Sequence, residues 1–479
     1  MNHFVATVAL IGIVIVVASL MSGVVERFGV PLVAAFLLVG AALGPFGLGI
    51  YDVGLHSPEL QVLATLALAL VLFTDAVGVD VREVRERKRI ALTVLGPGTA
   101  LPAIVIGAAA WWLLQLPVAA AAIIGAAIAS TDPVLLRRVL RSDALSPTAR
   151  VALRLESGMN DVALLPVVVI ATLVLARGGA VPSDELGRHL TGLFLLGPVL
   201  GAVIGWAGIL MLTTIRDRIG VRRDYESLYA LGLGLGAYAA AESVGGSGFL
   251  AAFAAGLAIA WLDVELCDCF LEYGEATAEM LLLLTFVAFG ASLIWTGFSV
   301  IDLPTVAFAI VALFARTVVL FPVLRHAGVT GRDRRLIALF GPRGLSSLLL
   351  VLLPVFAGVR DAERLFAVTS FVVLLSLVVH GAIIGVFLRG SGSTTASGAG
   401  ADGGRDPGPV VAPKMELAEF RARAARGDEV VLVDSRAPKS FKADARMAVG
   451  AVIVPPDDPV RAAREARLSR TATLAVYCA

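Results

Sequence analysis

Four places in the chain set polar or ionisable residues among almost wholly apolar neighbours. Asp75 lies in LVLFTDAVGVD. Ser130, Thr131, Asp132 and Pro133 interrupt an Ala/Ile-rich run. RLESGMND covers Arg154 to Asp161, and GPRGLSS covers Gly341 to Ser347. Ionisable groups in such surroundings are costly and mark function by default. Ser157 and Asp161 are four residues apart and share a helix face, with Glu156 and Asn160 on the adjacent strip. Pro133 removes a backbone donor and pushes Asp132 towards extended backbone, so a helix here is expected to break at Thr131–Pro133. Gly341-Pro342 does the same to a later run. Freed backbone carbonyls, Thr131 and Ser157 hydroxyls and the Asp161 carboxylate form a hard-oxygen donor set, suited to a small monovalent cation. Two interrupted helices, one in each half of the chain, are the sequence pointer to a transporter site at the bilayer midplane.

Plainer roles compete with these. A Ser or Thr inside a helix often bonds back to its own backbone, and an Asp before Pro can cap a half-helix. Glu156 and Arg343 read as a structural ion pair. Asp75 falls near a charged loop, where water can reach it. Asp161 lies deep in an apolar run with no adjacent base, and none of these roles suits it.

The elements that must position these residues follow from composition. Apolar residues other than glycine make up 58% of the 479, charged residues only 16%, and glycine adds 49 more. Mean hydropathy is +0.88. A disordered, collagenous or disulfide-framework chain is excluded, and the apolar excess needs lipid as solvent. A net charge of +1 gives no case for nucleic acid, and three cysteines and five histidines offer no metal-ligand spacing. No cofactor is expected.

Thirteen apolar stretches of bilayer length are expected: 4–21, 29–48, 60–78, 90–114, 117–136, 148–175, 190–215, 225–244, 246–262, 276–296, 303–323, 335–357 and 364–388. Basic residues concentrate in alternate loops, at Arg27, Arg82–Arg89, Arg137–Arg150, Arg216–Arg223, Arg325–Arg335 and Arg389. The opposite loops carry Arg177, Arg188, Arg360 and Arg364. The positive-inside rule then places the N-terminus outside and the C-terminus in the cytoplasm of a multi-pass cytoplasmic-membrane protein. The expected division is a membrane domain over 1–388, a Gly/Ser-rich linker over 389–413 and a small cytoplasmic segment over 414–479.

TDP at Thr131–Pro133, ESGMND at Glu156–Asp161 and PRG at Pro342–Gly344 together resemble the NhaP/NHE type of sodium/proton exchanger, over residues 1 to about 388. The segment around Asp75 is similar to that family's third span, where Glu is common at this position. The resemblance implies an all-α inverted-repeat antiporter fold with interrupted helices, and a homodimer. It implies Asp161 as the carboxylate shared by cation and proton, with Thr131 and Ser157 as further oxygens to Na+, K+ or Li+. Asp132 would lie beside the site, Glu156 and Arg343 would pair, and Asn160 would mark electroneutral exchange. The C-terminal segment resembles the rhodanese-like domains in DEVVLVDSRAPKSF, GAVIVP and TLAVYCA. That would make Cys478 the sulfur-carrying cysteine, in a fold too incomplete for activity. A sulfurtransferase or sulfur sensor and a cation channel are the rival readings. The first needs the loop after Cys478, and the second needs repeated pore-lining rings. No GxxxxGK[ST] occurs, so ATP-driven transport is not expected.

Overall fold

The computed structural model describes residues 32–142, 144–219, 223–262, 268–329 and 331–394. Beyond these it describes isolated positions before residue 32 and in the C-terminal part, where 430–435, 450–454 and 472–477 are continuous. The expected first span, 4–21, lies largely outside the described residues. The chain divides into two compact units, Met1–Ala399 and Gly400–Ala479.

The first unit is helical. In chain order it contains α1 (Leu32–Leu43), α2 (Pro58–Val77), α3 (Val81–Glu86), α4 (Lys88–Leu95), α5 (Pro97–Leu113), α6 (Val118–Ala129), α7 (Pro133–Leu140) and α8 (Pro147–Ala176). There follow α9 (Ser183–Thr191), α10 (Gly197–Arg218), α11 (Arg223–Ser243), α12 (Gly248–Leu262), α13 (Asp268–Ala288), α14 (Leu303–His326), α15 (Gly331–Leu339), α16 (Leu345–Phe356) and α17 (Ala362–Thr394). Single-turn π segments join α9 to α10 and extend α13. Every expected stretch from 29 onward falls on one or more of these helices. Among the described residues, eight helical stretches are long and apolar enough to cross a bilayer, and α1, α12 and α16 are shorter apolar helices. The chain is a multi-pass membrane protein. The last helix runs on to Thr394, so the first residues of the expected linker are helical.

Local sequence explains where helices start. Ser57 and Ser146 accept the Leu60 and Ala149 N–H groups, each followed by Pro at the first helical position. The outer face is apolar: Phe194, Val199, Val203 and Trp206 are exposed along the α9–α10 span. Lipid gives helices little hydrophobic reason to associate, so contact depends on close packing of small residues. Gly201 of α10 lies so close to Ala251 of α12 that a Cβ there would overlap its backbone.

The second unit holds a three-stranded parallel sheet, β1 (Val430–Asp434), β2 (Val452–Ile453) and β3 (Thr473–Tyr477), in the order β2-β1-β3. These strands fall on the three segments that carry the rhodanese-like resemblance. Cys478 lies outside the described residues.

Candidate functional site: a crossing of two broken helices

Pro133 and Gly341-Pro342 do what their chemistry dictates. The backbone is non-helical at Ser130–Asp132, between α6 and α7, and at Phe340–Gly344, between α15 and α16. The two breaks touch: the Asp132 N–H donates to the Pro342 carbonyl at 3.0 Å. A broken helix in lipid exposes backbone donors and acceptors that must find partners within the protein. It also ends in partial charges, positive at the N-terminus and negative at the C-terminus.

Each kind of end is met by opposite charge. Arg343 Nη1 donates to the carbonyls of Ala129 (2.6 Å) and Ser130 (3.0 Å), at the end of α6. Arg316 Nη1 donates to the carbonyls of Ile337 (2.7 Å) and Ala338 (2.9 Å), at the end of α15. The two N-terminal ends share one carboxylate. Asp132 Oδ1 accepts from Val134 N–H and its Oδ2 from Leu345 N–H, both at 2.8 Å. Asp132 thus caps α7 in its own chain segment and α16 across the crossing. Gly344 leaves the room for this, because a Cβ there would overlap the Asp132 carboxylate.

The expected Glu156–Arg343 pair is corrected by this geometry. Glu156 pairs with Arg316 of α14, whose Nε donates to Oε1 at 2.5 Å and whose Nη2 engages Oε2. Both side chains are buried. Arg343 is occupied with the α6 carbonyls instead, with Thr131 Oγ1 at 3.5 Å. Thr131 Oγ1 also donates weakly to Glu156 Oε1, at 3.4 Å.

Asp161, in the middle of α8, has a different environment. Its Oδ1 accepts from Ser130 Oγ, and the Ser346 side chain is its second hydrogen-bonding neighbour. Both partners are neutral hydroxyls, and both come from residues flanking the breaks. Ser157 is buried, but its Oγ bonds back to the Arg154 carbonyl at 3.4 Å rather than to Asp161. Asn160 is buried, and neither end of its amide has a partner among the described residues. Two of the carbonyls freed at the first break, those of Ala129 and Ser130, are taken by Arg343.

A cavity of about 410 Å³ approaches this crossing from one end of the helices. Asp75, Asp80, Glu83, Arg154 and Glu279 line it, and Pro133, Ser157 and Gly158 lie along its wall. Asp75 is half-buried and packs beside Gly158, so it belongs to the approach rather than to the crossing. Arg137 of α7 and Glu279 of α13, both lining the cavity, form an ion pair. Among the described residues no cluster of three or more His, Cys, Asp and Glu side chains forms a metal site.

Arg316, Ser376 and His380 join the crossing without having been singled out in the sequence. The signal for Arg316 and His380 was available: each is an ionisable residue inside an apolar run. Ser376 carries no such signal, because a serine in a helix is common.

Comparison with known proteins agrees with this architecture. The family model described as "Sodium/hydrogen exchanger, transmembrane" matches residues 13–390. A K(+)/H(+) antiporter NhaP2 from Shewanella sp. (strain MR-4) is 29% identical over 371 residues, 76% of this chain and 63% of that protein. The Na(+)/H(+) antiporter NhaG of Bacillus atrophaeus is 25% identical over 264 residues, 51% of this chain and 47% of that one. The chain therefore spans less than two thirds of the length of these relatives. Among solved structures, the sodium proton antiporter MjNhaP1 from Methanocaldococcus jannaschii at pH 8 superposes with a TM-score of 0.63 at 20% identity. That match covers 81% of this chain and 98% of the archaeal one, and it establishes the fold.

Proposed function

Because the chain belongs to the sodium/hydrogen exchanger family, we propose that it exchanges a monovalent cation for H+, with Asp161 as the carboxylate for which the two compete. The observation that carries this reading is the contrast among three buried carboxylates. Asp132 is held by two backbone N–H groups and Glu156 by a guanidinium, whereas Asp161 meets only hydroxyls.

Charge balance supplies the coupling. Arg316 and Arg343 offset Glu156 and Asp132 in formal charge. The crossing is then neutral only when Asp161 carries a proton or a cation. A bare charge inside a membrane protein is expensive, so the empty ionised site resists moving between the two faces of the membrane. Either loaded form moves, and one cation replaces one proton with no net charge transferred. Asn160 beside it cannot ionise and adds no second proton. Na+ is the first candidate, with K+ and Li+ as alternatives. The positive-inside pattern supports an outside N-terminus and a cytoplasmic cavity mouth, and the family likeness supports a homodimer. Asp75 would meet the ion on its way through the cavity.

The test is reconstitution into vesicles with an internal pH dye and addition of each cation in turn. Wild-type protein gives cation-driven proton flux. Asp161→Asn abolishes it while the protein remains folded, since an amide fills the same space and keeps the Ser130 contact. Flux retained in that variant overturns the assignment.

A further inference from the structure

The second break has one backbone donor whose partner is neither backbone nor the other break. Gly341 N–H reaches the Leu339 carbonyl and Leu345 N–H reaches Asp132. Arg343 N–H instead donates to Ser376 Oγ of α17, at 2.7 Å. One helical turn further on, His380 Nδ1 lies 3.0 Å from the same oxygen. Ser376 is fully buried and His380 nearly so.

Ser376 Oγ accepts from the Arg343 N–H, and the proton it still carries can be donated to His380 Nδ1 when the imidazole hydrogen is on Nε2. Without His380 the hydroxyl has a standing alternative, the Val372 carbonyl four residues back in α17, the usual resting bond of a helical serine. Turning that way draws its lone pairs off Arg343.

From Arg343 the connection runs to the ion site in two bonds. Its Nη1 donates to the Ser130 carbonyl, and Ser130 Oγ donates to Asp161. We infer that Ser376 and His380 are positioning residues for exchange, holding Arg343 so that Ser130 presents its hydroxyl to Asp161. His380 acts through Ser376, and Ser376 acts through Arg343. The inference rests on Asp161 being the exchange site.

The experiment measures apparent cation Km and maximal rate in vesicles for Ser376→Ala, Ser376→Thr, His380→Leu, His380→Gln and the double variant Ser376→Ala/His380→Leu. Losing one buried hydrogen bond in the chain corresponds to about a tenfold rise in Km for Ser376→Ala. Ser376→Thr keeps the hydroxyl and restores the parent value. His380→Leu raises Km by about threefold, and His380→Gln, whose amide oxygen can accept, reverses most of that. The double variant matches Ser376→Ala alone, because His380 has nothing left to orient. A Ser376→Ala Km within about twofold of the parent overturns the inference, as do additive effects in the double variant. Should Ser376→Ala fail to insert, equal Km values for His380→Leu and His380→Gln overturn it. Asp161→Asn in the same assay separates the two readings: retained flux there removes the exchange site itself, whatever the Ser376 series gives.

Discussion

The two breaks use the same device for different ends. At Ser130–Asp132 the chain contributes side chains: a hydroxyl to Asp161, a hydroxyl near Glu156 and a carboxylate that caps both half-helices. At Phe340–Gly344 it contributes a cation and space. Arg343 reaches across to the α6 carbonyls, and Gly344 lets the Asp132 carboxylate approach. Each break thus meets part of what the other exposes, and Arg316 of α14 and Ser376 of α17 meet the rest at the second. A pair of broken helices can carry a site in lipid only when the protein supplies what their ends lack.

The sharpest way to break this symmetry is through the two arginines. Arg316→Ala leaves Glu156 buried without its cation and strands the α15 carbonyls. Removing one partner of a buried pair costs about 3–5 kcal/mol, so yield and Tm should fall steeply. Arg343→Ala strands only carbonyls at the first break, a loss of about 1–3 kcal/mol. Its larger effect should be on apparent cation affinity, since Ser130 loses its anchor. Thermal unfolding and vesicle flux measured on both variants check the contrast. Equal stability losses with equal affinity changes would mean that the breaks are not specialised.

Gly344→Ala tests the space. The added methyl must displace the Asp132 carboxylate from at least one of its two N–H partners, for a loss of about 1–3 kcal/mol. A variant as stable as the parent would show that the double cap is dispensable. Charge balance at the crossing makes a prediction of no effect: imposing a membrane potential on vesicles should leave the exchange rate unchanged. A rate that scales with voltage, or a current on a cation jump, would bring a second titrating carboxylate into the proton count, Asp132 first. Deleting 400–479 is likewise expected to leave exchange in place. The helical unit has its own core and its own crossing, so vesicle flux should persist. Its complete loss in a well-inserted truncation would make the second unit part of the transport machinery.

Much of the helical unit was legible because lipid imposes one rule on every spanning segment: about twenty apolar residues with internally satisfied backbone. Pro133 and Gly341-Pro342 announced both interruptions for equally local reasons, a missing donor and a disfavoured backbone region. Asp161 stood out because its surroundings along the chain are apolar on both sides. Partner choice was another matter. Glu156 had two buried arginines within the apolar runs that it could have met, Arg316 and Arg343, and each lies over 150 residues away in sequence. Which one it meets depends on how the broken helices cross. That crossing puts Arg343 over the end of α6 and leaves Arg316 opposite Glu156. Ser376 and His380 are decided in the same way. Nothing in α17's own sequence reveals that its buried Ser376 faces the backbone N–H of Arg343 in the second break. Periodicity and proline are properties of neighbours along the chain, and sequence alone reports them. Hydrogen-bond partners between distant breaks are properties of three-dimensional packing, and only the tertiary structure assigns them.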